Sequence, residues 1–211
     1  MTTRIQQMRL KEKYGTEQVF VVPYKEVMDV PDLFSEVEPD NLDWAKNGIF
    51  VFRYDAEYNP LFQQIIPYVV LTDSKKEKFY ISKRISGEER LVDLYSIGFG
   101  GHINPCDGYC NPITNCIDRE LDEEVSAKYK EEPLSLIGTV RDMSSSTNDH
   151  LGVVYLKRVS NKSTIKIKEK DKLKGKWMTV HELYDNYGKF ESWGKYIIDY
   201  IYRKKQRGEN L

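Results

Sequence analysis

Short apolar runs separated by polar turns occupy much of this chain, and two periodicities can be read among them. Residues 19–22, Val-Phe-Val-Val, predict a strand stopped by Pro23, which has no N–H to carry a ladder further. Residues 48–53 predict another. Between them, residues 24–48 are acidic and hold Pro31 and Pro39, a pattern of short helices and loops. From Gln64 the pattern sharpens. Residues 64–71 predict a strand in which Pro67 favours an edge or a bulge, residues 73–78 a polar turn, and residues 79–84 the partner strand. Residues 94–99 predict a third strand running into Gly100-Gly101. Further strands are expected over 135–141, 151–159 and 164–168.

The helical period appears in three places. A helix is expected from about Pro112, with Asn111 suited to the N-cap, Pro112 to the first helical position and Pro133 beyond its far end. Thr179-Val180-His181-Glu182 has the form of a capping box and opens a short helix. Residues 192–204 close the pattern, with Trp193, Tyr196, Ile197, Tyr200 and Ile201 at three-to-four spacing as core-packing positions. Residues 1–15 read as a polar, frayed lead-in and the last residues as a solvated tail. Mixed strands, a central helix, more strands and terminal helices make an α+β, sandwich-like layering rather than a regular βαβ alternation.

Composition narrows the function classes. The chain has 211 residues, enough for one domain with an extension, and 40 % of them are hydrophobic. A net charge of -1 gives no whole-molecule signal for nucleic acid or an anionic membrane. No apolar run approaches the roughly 20 residues of a membrane helix, and the first residues lack the apolar stretch of a signal peptide, so a cytoplasmic location is expected. The three cysteines, Cys106, Cys110 and Cys116, are an odd set and no disulfide framework. With His102 they read H-x3-C-x3-C-x5-C. Structural zinc sites draw paired ligands at closer spacing, so reduced, metal-free thiols are expected.

The candidate chemistry lies in residues 100–125, GGHINPCDGYCNPITNCIDRELDEEV. Ile113, Ile117, Leu121 and Val125 recur every four residues and form a stripe to be buried. Glu120, Glu123 and Glu124, at i, i+3 and i+4, share another face and repel one another. Arg119 can pair with Glu123, but one guanidinium does not neutralise three acids. A divalent cation would, because hard ions such as Mg²⁺ take carboxylate oxygens and keep water or phosphate oxygens as their other ligands. The two glycines let the backbone turn tightly and approach a ligand.

This segment resembles the Nudix box, G-x5-E-x7-R-E-U-x-E-E-x-G-U, with U aliphatic. Arg119-Glu120-Leu121-Asp122-Glu123-Glu124 matches its core at every fixed position, and Gly101 matches the opening glycine. Three positions depart. Asp107 stands where the family has glutamate, the interval from Asp107 to Arg119 is four residues longer, and Ser126 replaces the late glycine. The stretches QQIIPYVVL, LYSIGFGGHIN and ESWGKYI resemble a MutT-related branch of predicted phosphoesterases. The resemblance implies a sheet sandwiched between helices, an N-terminal extension over residues 1–60 packed on the core, a hydrolase domain over 61–206, and a tail over 207–211. It assigns the catalytic machinery to Arg119, Glu120, Glu123 and Glu124, with Mg²⁺ or Mn²⁺ held by the three glutamates and the Gly100 carbonyl, and with Arg119 holding a glutamate in place. The implied reaction is attack of water on the diphosphate linkage of a nucleotide-like small molecule. The alternative is a Nudix-fold binding or regulatory module without turnover. His102 and Glu169 are further candidates for substrate contact, His102 also for proton transfer and Glu169 also for an added base or ligand.

Overall fold

The computed structural model describes residues 3–87 and 92–211; the first two residues of the expected lead-in lie outside the described residues. Its centre is β4 (Phe62–Thr72), buried from Gln63 onward. Because successive side chains alternate between faces, Ile65, Val69 and Leu71 enter one apolar cluster and Ile66, Tyr68 and Val70 enter the other. This near-continuous apolar run is what a strand covered on both faces requires. β10 (His150–Arg158) runs parallel to β4, with His150 opposite Gln64 and Arg158 opposite Thr72. β9 (Ser135–Arg141) pairs antiparallel with β10, and β2 (Leu33–Ser35) pairs with β9. On the other side, β5 (Lys78–Arg84) turns back from β4, and β12 (Leu173–Thr179) follows β5. The principal path is β12-β5-β4-β10-β9-β2.

Helix α4 (Pro112–Glu124) covers one face of this sheet with Ile113, Cys116, Ile117 and Leu121. Helices α5 (Val180–Asp185) and α6 (Ser192–Gln206) cover the other with Leu183, Trp193, Ile197, Ile198, Tyr200 and Ile201. The result is a mixed-sheet α+β sandwich. Thr179 caps α5 with the expected box: its side chain accepts from the Glu182 N–H, and Glu182 accepts from the Thr179 N–H.

The N-terminal third is woven into the sheet. β1 (Gln18–Pro23) pairs with both β3 (Ile49–Phe52) and β4. Residues 4–14 are not frayed but form α1 (Arg4–Tyr14), capped by Thr3 and Gln6. Its contacts are polar, which is why no apolar period announces it. The Gln7 side chain donates to the Tyr54 carbonyl at 2.9 Å, and Tyr14 stacks against the Arg53 guanidinium of α3 (Arg53–Ala56).

Pro67 does not mark an edge strand; it lies in the central one. β1 pairs with β4 only as far as Gln64, and β7 (Gly98–Phe99) begins to pair at Val69. Pro67 sits between these partners, its carbonyl turned toward Gly100. A residue's N and O point the same way in a strand, so the missing donor falls in the gap and costs no ladder bond. The strand expected over 94–99 is split between two partners. β6 (Tyr95–Ser96) pairs with β5, and β7 pairs with β4.

Three smaller readings are corrected. Asn111 occupies the N-cap position in a left-handed conformation, φ 56°, and its side chain makes no capping bond. The strand expected over 164–168 shrinks to β11 (Lys166–Ile167), which pairs with β8 (Val125–Ser126). β12 has no counterpart in the sequence reading, because its lysines and Gly175 hide an edge-strand pattern.

Candidate active site

The amphipathic stripe of α4 fixes which way its charged residues face. With Ile113, Ile117 and Leu121 against the sheet, Arg119 lies at the flank of the helix beside the loop that follows β7. Its Nε and Nη2 donate to the two Asp107 oxygens at 2.8 and 3.0 Å, its Nη1 to Glu120 Oε1 at 2.7 Å, and its Nη2 also to the His102 carbonyl at 2.9 Å. Asp107 is 4 % exposed. Burial works to raise its carboxyl, but Arg119 and the Asn104 N–H hold it below the usual range. The longer loop is therefore accommodated without losing the ion pair. Residues 105–107 form one 3-10 turn, and the Asn115 side chain donates to the carbonyls of Asp107 and Cys110, fastening the excursion between them. Arg119 is raised in turn, first by its bond to Asp107. Arg119 thus orders the loop and orients Glu120.

The two glycines are required for different reasons. A Cβ on Gly100 would collide with the Pro67 carbonyl, which is backbone and cannot give way. A Cβ on Gly101 would meet Glu120 Oε1 at 2.5 Å. The Glu120 carboxylate is therefore cradled on bare backbone. Burial raises its pKa, as do Glu123 and Asp107, against the opposing effect of Arg119. One turn on, Glu124 is pushed up to about 8, first by burial and then by Glu120 and Glu169, with Arg84 opposing. The structure brings Glu120, Glu124 and Glu169 into one electrostatic neighbourhood. The Lys168 N–H donates to the Glu124 carbonyl at 2.8 Å, which explains how Glu169 arrives there, and Glu169 itself pairs with Lys172 at 2.6 Å. Glu123 is set apart: its side chain is 57 % exposed and reaches Arg119 at 3.5 Å.

Among the described residues, no group of three or more His, Cys, Asp and Glu forms a ready-made metal cluster. The residues present nevertheless suit a hard cation. Two carboxylates one helical turn apart disfavour each other's ionised form, and a divalent ion supplies the missing positive charge while leaving coordination positions for water or phosphate oxygens. The cysteines are free thiols, with Cys106 and Cys110 exposed. Cys116 is buried, with its sulfur 3.6 Å from the His102 carbonyl.

Glu124, Gly100 and His102 line a cleft of about 690 Å³, together with Ile66 and Tyr68 of β4 and Gly98 and Phe99 of β7. Its far wall is built by residues the sequence reading left without a role: Lys13, Arg53 and Tyr58 from the N-terminal third, and His150 at the start of β10. Tyr58 and His150 are tied together by Asp149, which is 3 % exposed. Its oxygens accept from His150 Nδ1 at 2.7 Å, the Tyr58 N–H at 2.6 Å and Gln64 Nε2 at 3.3 Å. Burial works to raise this carboxyl, and those bonds from His150 and Tyr58 hold it low. Gln64 Oε1 lies 2.9 Å from His102 Nε2. Burial, then Arg53 and His150, lower the His102 pKa well below that of a free imidazole, so the ring is neutral. The available signal was an Asp-His pair just ahead of a predicted strand, behind the Ser- and Thr-rich stretch 144–147.

No family model matches the chain. Over 158 residues it is 32 % identical to protein YmaB of Bacillus subtilis (strain 168), a stretch covering 71 % of this chain and 76 % of that protein. The crystal structure of Tm1382, described as a candidate Nudix hydrolase, matches 89 % of this chain and 99 % of its own at 27 % identity, with a TM-score of 0.75. DR0079 of Deinococcus radiodurans matches 89 % and 98 % at 15 % identity with a TM-score of 0.50, a likeness of fold.

Proposed function

This chain belongs to the family of Bacillus YmaB and has the Nudix fold, and on that premise we propose that it is a divalent-metal-dependent hydrolase of a phosphoanhydride bond in a nucleoside diphosphate derivative or similar small molecule. The observation that carries the reading is the pair Glu120 and Glu124, both raised in pKa and set at the Gly100-Gly101 turn beside the cleft. These two carboxylates, with the Gly100 carbonyl, are the groups best placed to hold Mg²⁺ or Mn²⁺. Glu169 is a further candidate, and Glu123 would have to turn inward from solvent to join them. Such an ion, when bound, lowers the pKa of a water and offsets charge on phosphoryl oxygens.

The protein's own groups do the rest. Asp107 holds Arg119, and Arg119 holds Glu120 on Gly101, so one acid is oriented before any ligand arrives. Arg84 opposes the negative charge of Glu124, and Lys13 lies along the same cleft. The cleft walls reduce the water around a bound diphosphate, which strengthens each of these interactions. In domain terms, residues 61–206 form the hydrolase unit and residues 1–60 its extension, which contributes the far wall. No helix among the described residues is long and apolar enough to cross a membrane, and a cytoplasmic location suits a nucleotide-like substrate.

The test is a screen of purified protein against nucleoside diphosphate derivatives with Mg²⁺ or Mn²⁺, with release of monophosphate followed by chromatography. Metal-dependent cleavage of at least one is expected. Tight binding of such compounds with no cleavage under any metal would replace the enzyme with a binding module.

A further inference from the structure

We propose that His150, held by Asp149, is the general base of this hydrolysis, a catalytic residue outside the box helix. The inference rests on the hydrolase reading above and names the proton acceptor that reading leaves open.

Asp149 is an acceptor only, so the His150 Nδ1 it contacts at 2.7 Å carries a proton. In a neutral ring, Nε2 then keeps its lone pair. His150 lines the same cleft as Glu124 and Gly100. Its side chain is 12 % exposed, and among the described residues its Nε2 has no hydrogen-bond partner. This is the arrangement of a base oriented by a carboxylate, in which the acid fixes the tautomer and offsets the imidazolium that forms. The neighbouring amide supports the assignment. Gln64 directs its NH₂ to Asp149 and therefore its oxygen to His102, which must donate from Nε2. His102 thus stands as a neutral ring edge-on to His150, with centroids 5.3 Å apart, and does not compete for the proton.

The other acids and imidazoles of the cleft are occupied. Glu57 pairs with Arg53 at 3.1 Å. Glu191 accepts from Tyr68, Ser96 and the N–H groups of Trp193 and Gly194. Glu124 belongs with Glu120 in the cation site. His150 is left with a directed lone pair and no partner.

In the step, Nε2 takes a proton from water as the water oxygen bonds to phosphorus. The bridging P–O bond breaks, and its electron pair departs with the leaving phosphate. The imidazolium, offset by Asp149, then returns its proton to solvent. Around the ring, the charged groups and the second imidazole lining the cleft are Lys13 from α1, Arg53 and Glu57 from the α3 segment, Arg84 of β5, His102 from the loop after β7, Glu124 of α4 and Glu191 ahead of α6, with Asp149 beside the ring.

The test uses the full chain with Mn²⁺ and three probes, ADP-ribose, UDP-glucose and NADH. His150→Gln should lower kcat by about 100-fold or more, with KM changed less than about threefold. Mn²⁺ affinity, followed by electron paramagnetic resonance, should be unchanged. Asp149→Asn should lower kcat by about tenfold with KM changed less than about threefold, because the ring loses the acceptor that fixes its tautomer. His150→Asn serves if the Gln variant unfolds early. Wild-type turnover with kcat preserved in the His150 variants would overturn this assignment and leave the hydrolase intact. So would loss of Mn²⁺ affinity in those variants, which would make His150 a metal ligand. Wild-type protein inert toward all three probes would overturn the hydrolase reading, and this one with it.

Discussion

Glu124→Gln separates the electrostatics of the candidate site from its packing. The change keeps the shape of the side chain and removes a carboxyl whose pKa is pushed up to about 8 in the folded, metal-free chain. A folded pKa above the unfolded one means that this group favours folding below pH 4.5, and that the benefit disappears as pH rises through 8. Over the window from 4.5 to 8, metal-free wild type should therefore lose stability through this group, and the variant should not. Linkage sets an upper figure of about 3 kcal/mol at pH 7. Glu124 is only partly covered, so solvent screening reduces this to about 1–2 kcal/mol. For a chain of this size, that corresponds to a midpoint about 3–6 °C higher for the variant. Thermal unfolding in EDTA, from pH 5 to pH 8.5, reads it directly: the two proteins should coincide near pH 5 and separate toward pH 8. Saturating Mn²⁺ should reverse the order. An ion at 100 times its Kd stabilises wild type by about 2.7 kcal/mol, and the variant should lose most of that, together with orders of magnitude in turnover. Parallel pH profiles in EDTA, or equal Mn²⁺ stabilisation of both proteins, would refute the reasoning.

Other perturbations report on the supports of the site. Asp107→Asn removes the buried partner of Arg119 and should cost about 2–4 kcal/mol, measured by urea unfolding. An unchanged midpoint would mean that the longer loop is held by other contacts. Gly101→Ala should fold almost normally yet displace Glu120 and weaken Mn²⁺ binding about tenfold, whereas Gly100→Ala should lower the unfolding midpoint sharply because its obstacle is backbone; similar behaviour of the two would contradict their separate roles. His102 is neutral in the fold and takes up a proton in the unfolded chain, so its contribution is complete above pH 6.5 and is lost as pH falls below it. His102→Gln should accordingly flatten the acid side of the stability profile, and an equally steep loss would assign it to other groups.

The local parts of this protein were determined by sequence. The stripe Ile113, Ile117, Leu121 fixes α4 and its buried face, the sequence Arg119–Glu124 carries the acids, and the run through β4 marks a strand covered twice. Each follows from a backbone period and needs no distant partner. The tertiary structure decided how those parts are used. Glu120 and Glu124 read as equivalent to Glu123 along the helix, and only the passage of Gly101 beneath Glu120, and of the segment carrying Glu169 beside Glu124, sets them apart. The cleft exists only once β4, β7 and the start of β10 are brought together with Lys13, Arg53 and Tyr58 of the N-terminal third. Its far wall joins Tyr58, His102 and His150 through Asp149 and Gln64, residues spread from position 58 to position 150. The Asp149-His150 pair is adjacent in sequence, but the same carboxylate finds Tyr58 and Gln64 by proximity in three dimensions, and spacing carries no trace of those bonds until the sheet is assembled.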